Sequence, residues 1–474
     1  MTETSTWFSP TLDGYLSGPL KGARLLCLVD GEHYPPVVGE AVRQLEGRGA
    51  TVVGLLFIGG TEKVKDAKQE LSEAAPNAQI FSGAETPEQS LKQLPDALRE
   101  TDAEAVIDLS DEPVVDYGRR FRIASRALLE DIPYVGADFH FSPPPQLDLL
   151  SKPSLSIIGT GKRVGKTAVG AGIARLLDAE GMDPVVVCMG RGGPPDPHYV
   201  NARELTLNAD TLLEVAESGG HAASDYWEDA LLSGVPTIGC RRCGGGMGGT
   251  PVSSNVVEGA KMAEDGPHGF VVLEGSGATF APVRTDQRIV VVGAGQPREN
   301  VLNYLGEYRL LTSDLAIVTM CEEPVAPEEK ILALQEGILR IKPDIDIALT
   351  VFRPEPLGEV EDRRVFVATT APEATARGIA HSIEEEYDCQ VTGFSTNLSD
   401  RAALKEDLKE GLEDCDVLLT EIKAASIDVA ARTARDKGTD IAFLHNSLSL
   451  VGGTVGDLES AILSLCREAE VEHL

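Results

Sequence analysis

The chain has 474 residues, with 75 Asp and Glu against 42 Lys and Arg, a formal charge of −33. That balance excludes nucleic acid, whose phosphate backbone would be repelled, and argues against an anionic membrane surface. The acidic residues are spread along the chain, so they predict a solvated, halophilic-like surface suited to a salty cytoplasm. The length allows about two to four domains with cores of their own. Eight cysteines at this length are not a disulfide framework. The opening MTETSTWFSP lacks a basic segment followed by an apolar core, and no apolar run reaches the roughly 18 residues of a membrane span. A cytoplasmic protein with no membrane partner is expected.

The fold class expected is α/β and multi-domain, with doubly wound parallel sheets and a central P-loop domain. The first segment is 1–150. Strands are predicted at 24–29, 51–58 and 105–109, with helices at 36–48 and 121–130. Such alternation builds a parallel sheet with helices on its faces. VDGEHYPP at 29–36 ends the first strand and sets Asp30, Glu32, His33 and Tyr34 at the edge where ligands bind. His33 is a candidate for a substrate phosphate or for proton exchange, against a purely structural histidine. Arg119, Arg120, Arg122 and Arg126 form a basic cluster, and Arg119, Arg122 and Arg126 share one helix face. They suit a polyanion or ion pairs with surface carboxylates. SPPP at 142–145 reads as a linker.

The second segment, 151–360, opens with a short apolar strand at 154–158 and the glycine turn GTGKRVGKTAV at 159–169. Apolar residues at Val169, Ile173, Leu176 and Leu177 then continue as a helix, which Gly181 caps. Strand, glycine loop and helix together make a phosphate loop. Gly161, Lys162, Arg163, Val164, Gly165, Lys166 and Thr167 are the expected phosphate ligands. Backbone N–H groups and the helix N-terminus face the anion, Lys166 reaches the terminal phosphates and Thr167 ligates Mg²⁺. Thr160 stands where the usual pattern has its first glycine. Lys162 adds charge, to contact the transferred phosphate or to stay on the solvent side.

Further strands are expected at 184–189, 270–273, 288–292, 315–319 and 345–351. Glu274 ends one of them in FVVLEGSG and is expected beside the metal and in catalysis, against a carboxylate that merely caps a turn. MGRGGPPDP at 189–197 offers Arg191 to a phosphate and Asp196 to the metal or a water. GCRRCGGGMGG at 239–249 offers Arg241 and Arg242, whose guanidinium forks fit phosphate. Its Cys240 and Cys243 lack the second pair or histidine that a zinc site needs. Arg284 follows on the loop after Glu274. The third segment, 361–474, alternates strands at 365–369, 390–394, 417–420 and 441–444 with helices. Lys423, just past the third of these, is a weak further candidate. No serine-hydrolase elbow, HExxH or dinucleotide GxGxxG is present.

These strings, with ASDYWEDALLSGVPTIGCRRCGGG, VLEGSGATFAPV, RVFVATTAPE and FSTNLSDRAAL, resemble the cyclic 2,3-diphosphoglycerate synthetase family over nearly the whole chain. The P-loop segment alone also resembles dethiobiotin synthetase, with a T-x-x-x-x-G-K-T loop at 160–167 and an E-G-S-G turn at 274–277. The resemblance implies ATP-dependent closure of 2,3-bisphosphoglycerate into a cyclic phosphoanhydride, releasing ADP and phosphate. It implies ATP and Mg²⁺ as cofactors, K⁺ as a further candidate cation, a cytoplasmic enzyme and a homodimer. His33, Arg119, Arg191, Arg241, Arg242 and Arg284 are then the expected substrate ligands. The rival readings are a dethiobiotin-synthetase-like carboxylate ligase and a nucleotide-switch ATPase.

Overall fold

The computed structural model describes residues 7–84, 86–222, 224–423 and 425–473. They fall into two compact units, one of residues 1–144 with 297–312, the other of 145–296 with 313–474. Among the described residues no helix is long and apolar enough to cross a membrane.

The first unit is built on β1 (Arg24–Val29), β2 (Thr51–Phe57), β3 (Gln79–Phe81), β4 (Ala105–Asp108), β5 (Tyr134–Val135) and β6 (His140–Phe141). Their order is β3-β2-β1-β4-β5-β6, parallel except for β6. The order turns at β1 and β4, so their carboxyl ends flank a crevice of the kind that takes ligands in doubly wound sheets. Two short helices, Arg298–Leu302 and Gly306–Leu311, come from far along the chain and complete this unit. Buried Glu307 pairs there with Arg126 at 3.3 Å and Arg122 at 3.6 Å, and Tyr304 stands edge-on to Phe121.

The second unit holds a sheet of thirteen strands among the described residues. They are β7 (Ser154–Gly159), β8 (Pro184–Gly190), β9 (His198–Val200), β10 (Thr237–Cys243), β11 (Ser253–Ser254), β12 (Phe270–Glu274), β13 (Gln287–Gly293), β14 (Leu315–Thr319), β15 (Asp346–Leu357), β16 (Arg364–Ala368), β17 (Gln390–Ser395), β18 (Val417–Thr420) and β19 (Asp440–Gly453). The order is β11-β10-β8-β12-β7-β13-β14-β15-β19-β18-β16-β17, with β9 beside β10. Every residue of β8 is buried, because helices cover both faces. Val185, Val187 and Met189 pack toward the helix Val256–Asp265; Val186 and Cys188 pack toward the P-loop helix Lys166–Ala179.

The last two expected segments therefore share one sheet. β15 and β19 run antiparallel from Ala348↔Gly453 to Leu357↔Phe443, and β16, β17 and β18 extend the sheet beyond them. The first of these strands, expected to end at 351, runs on to Leu357 through Pro354 and Pro356. They are accommodated because β14 pairs only as far as Leu349, so that edge has no strand neighbour to supply with N–H donors.

Candidate active site at the phosphate loop

The loop leaves the carboxyl end of β7, between β12 and β13. It reverses through two left-handed residues, Arg163 (φ 59°) and Gly165 (φ 79°), before the helix starts at Lys166. Gly159 N–H donates to Gly277 O at 2.9 Å, so the loop is tied to the turn after Glu274. Thr160 is tied down in this setting. Its hydroxyl donates to Gln296 Oε1 at 2.5 Å, and that oxygen also accepts from Gly293 N–H. A methyl group on Gly161 would lie 2.7 Å from Gln296 Nε2, so the glycine lets that side chain lie close over the loop. Lys162 and Arg163 are exposed at the loop's tip, and Val164 is buried with its carbonyl accepting from Thr319 Oγ1 at 2.8 Å.

Lys166 folds back and ion-pairs with Glu274 Oε2 at the end of β12. Glu274 is only 1% exposed, and its Oε1 has no hydrogen-bond partner among the described residues. Gly170, one turn into the helix, makes room: a methyl group there would overlap Glu274 Oε1. Burial works against the Lys166 charge, but Glu274 and then Asp229 outweigh it and raise the ammonium above its ordinary range. Burial raises the Glu274 carboxyl, and Lys166 opposes that rise. The orphan Oε1 is a hard oxygen of the kind Mg²⁺ takes, and Thr167, the helix's second residue, carries a hydroxyl of the same kind.

Two expected arginines converge on the same turn. Arg242 Nη2 donates to Ser276 O at 2.9 Å and its Nη1 to Gly244 O at 2.5 Å, while its buried Nε has no partner among the described residues. An Arg191 guanidinium nitrogen lies 3.0 Å from where a methyl on Gly277 would sit. Burial, and then Arg191, lower the Arg242 proton affinity, as expected of two neighbouring cations. The loop carrying Arg191 is anchored by Asn255, whose side chain donates to Pro194 O and Pro195 O. Arg241 is exposed on β10, its backbone N–H bound to Asn255 Oδ1. Asp196 is exposed on the 191–197 loop, outside the buried acidic group.

Two expected substrate ligands are otherwise engaged. Arg284 Nε donates to Asp148 Oδ1 at 2.7 Å, three residues before β13 begins, so it lies toward the amino edge of the sheet and away from the phosphate loop. The chain after Glu274 has crossed back by then. Arg119, in the first unit, is 9% exposed, and its guanidinium donates to Val114 O, Ile58 O and Ser90 Oγ. Its guanidinium is thus taken up by two backbone carbonyls and a hydroxyl that no helix-face pattern reveals. His33 Nδ1 lies 2.8 Å from Asp30 Oδ1, and buried Asp30 also accepts from the backbone of Glu32 and Asp111. Beside it, Asp108 accepts from Arg120 Nε and Tyr134 Oη on the wall of a cavity of about 540 Å³.

The sequence reading assigned no role to the helix Asp225–Ser233, although its residues lie in the string ASDYWEDALLSG. Asp225 lies against Gly190 at the end of β8, and Glu228 pairs with Lys423 at 3.4 Å. One turn after Asp225, Asp229 is buried beside Cys188 and Glu274. The i, i+4 spacing of Asp225 and Asp229 was the available signal, but acidic residues on a helix ordinarily face water.

Family models match along the chain: the N-terminal domain of cyclic 2,3-diphosphoglycerate synthetase over residues 24–142, its P-loop domain over 154–351 and its C-terminal domain over 356–447. The chain belongs to the cyclic 2,3-diphosphoglycerate synthetase family. The synthetase of Rubrobacter xylanophilus is 48% identical over 447 residues, 94% of this chain and 98% of that protein. That of Methanothermus fervidus is 45% identical over 448 residues, covering 94% and 97%. That of Methanothermobacter thermautotrophicus is 44% identical over 446 residues, covering 94% and 96%. The P-loop model spans the phosphate loop, Glu274 and both convergent arginines.

Proposed function

We propose that this chain closes 2,3-bisphosphoglycerate into cyclic 2,3-diphosphoglycerate, using ATP and releasing ADP and phosphate. The observation that carries the reading is one turn, residues 274–277, shared by two cationic sets. On one side it meets the phosphate loop and Lys166; on the other it meets Arg191 and Arg242. A nucleotide alone needs the first set. The second suits another phosphorylated reactant, because guanidinium forks match phosphate oxygens.

In this reading the ATP γ-phosphoryl passes to one substrate phosphate, breaking the bond to ADP. The other substrate phosphate then attacks the phosphorus of the activated one. A P–O–P bridge forms within the molecule, and the transferred phosphoryl leaves as inorganic phosphate. Little covalent work falls to the protein, which positions two anions and offsets their charge. Lys166 leaves Glu274 for the β- and γ-phosphates, Lys162 meets the transferred group, and Arg191, Arg241 and Arg242 hold the bisphosphoglycerate. Thr167 and Glu274 would hold Mg²⁺, which supplies charge neutralisation on the phosphates. The first unit is assigned a substrate-handling role of its own, with His33 and Arg120 near the carboxyl edge of its sheet, and the active species is assigned as a cytoplasmic homodimer.

The test is the dependence of ADP release on the second reactant. ADP should form with ATP, Mg²⁺ and 2,3-bisphosphoglycerate together and stay near background without the bisphosphoglycerate. ADP release indifferent to it contradicts the reading.

A further inference from the structure

Asp229 is the feature that the reading above leaves unused. It is 1% exposed, and among the described residues neither of its carboxylate oxygens has a hydrogen-bond partner. A buried carboxylate without a donor is destabilising by several kcal/mol, whereas an uncharged side chain of the same shape would escape most of that cost. Its neighbours are specific. Cys188 Sγ, an Asp229 oxygen and a Glu274 oxygen lie within 4.8 Å of one another, and Glu274 Oε1 is likewise without a partner. The cation held against this pocket is Lys166, bonded to Glu274 Oε2 and attracted by Asp229 as well. One ammonium thus faces two carboxylates, and a phosphate chain in the loop would draw that ammonium away.

We propose that Glu274 and Asp229 form a cation-exchange pocket, filled by Lys166 in the nucleotide-free protein and by a divalent cation once phosphates have taken the lysine. This rests on the phosphate loop being an ATP site. The carboxylate oxygens, with Thr167 at the helix start, suit Mg²⁺ or Mn²⁺. Asp229 is then a positioning residue: it compels the metal and the nucleotide to arrive together, because loss of Lys166 alone would leave two buried carboxylates uncompensated.

The full chain, wild type and Asp229→Asn, is titrated calorimetrically with ATP in EDTA and in Mg²⁺. Mg²⁺ should tighten ATP binding by wild type. The variant should lose about ten- to a hundredfold of that tightening, with Mg²⁺-free affinity at or above that of wild type and a nucleotide-free melting temperature no lower than wild type. Lys166→Met supplies an independent arm. Mn²⁺ alone, followed by its electron paramagnetic resonance signal, should bind nucleotide-free Lys166→Met but not nucleotide-free wild type, and adding Asp229→Asn should remove that site. Equal Mg²⁺ tightening in wild type and Asp229→Asn overturns the proposal. So does a folded Lys166→Met that binds no Mn²⁺, or an Asp229→Asn protein that melts lower and loses both affinities alike. If Lys166→Met does not fold, the Asp229→Asn titration decides. A wild type that binds no ATP in either condition overturns the functional reading itself, and this inference with it.

Discussion

Lys166 and Glu274 face each other across the space between the P-loop helix and the end of β12, and the lysine that should meet phosphate is held by a buried carboxylate instead. The pair keeps the lysine charged, placed and out of solvent. It also means that nucleotide binding must break a strong contact, so the two partners should behave differently when removed singly and together.

Lys166→Met should lower turnover by about a hundredfold or more. It should also destabilise the nucleotide-free protein by about 3–5 kcal/mol, because Glu274 loses its counter-charge in a buried setting. Lys166→Met with Glu274→Gln should recover most of that stability and none of the activity. Denaturant unfolding of the two single variants and the pair, as a double-mutant cycle, measures this. Additive losses would mean that the two groups do not interact.

Gly170→Ala separates helix propensity from fit. In a helix interior alanine is favoured over glycine by about 1 kcal/mol. Here the added methyl would overlap Glu274 Oε1, so the substitution should destabilise by about 1–3 kcal/mol and reduce Mg²⁺-dependent ATP binding. Thermal melts and nucleotide titrations check both effects.

The arginines should sort by what they touch. Arg242→Lys keeps the charge but loses the fork that spans Ser276 O and Gly244 O. It should raise the KM for bisphosphoglycerate about tenfold or more with little change in the KM for ATP. Arg191→Lys should do the same. Arg284→Ala, beside Asp148 at the amino edge, should leave both constants near wild type. Arg119→Met should cost stability of the first unit by about 2–4 kcal/mol, since it strands carbonyl acceptors of Ile58 and Val114. Steady-state kinetics and melting of the four proteins decide the sorting.

How much of this was legible beforehand depended on whether a role is local in sequence. The phosphate loop and Glu274 were readable because each sits in a short string whose glycines have one obvious use. Asp229 and Gly170 were not. One looks like a solvated helix carboxylate and the other like a neutral helix residue, and both acquire meaning only when β12 delivers Glu274 between them. Thr160 looked like a lapse in the pattern until Gln296, more than a hundred residues on, proved to be its partner. Arg119 looked like part of a basic face, because its carbonyl and hydroxyl partners come from three other places in the chain. Residues 297–312 carry no compositional mark of belonging to the first unit.

His445 supplies a pH dependence away from the site. Arg175 of the P-loop helix donates to His445 Nε2 at 2.5 Å, and burial, with the Arg175 charge, lowers the imidazole from its ordinary 6.5 to about 4. The native protein keeps this histidine neutral where the unfolded chain protonates it. Its contribution is therefore complete above pH 6.5 and lost as pH falls toward 4, a total of about 3 kcal/mol. His445→Gln, which can still accept from Arg175, should show a shallower loss of unfolding free energy on acidification. Parallel pH profiles for the two proteins would remove His445 from the acid response.

The central claim is ring closure of a bisphosphate at the turn shared by Lys166, Arg191 and Arg242. Phosphorus nuclear magnetic resonance of the purified protein with ATP, Mg²⁺ and 2,3-bisphosphoglycerate, at high K⁺, addresses it directly. The two phosphomonoester signals of the substrate should give way to a cyclic phosphoanhydride signal, with ADP and inorganic phosphate each formed in equal amount to it. ADP and phosphate accumulating while the substrate signals stay unchanged would contradict the account.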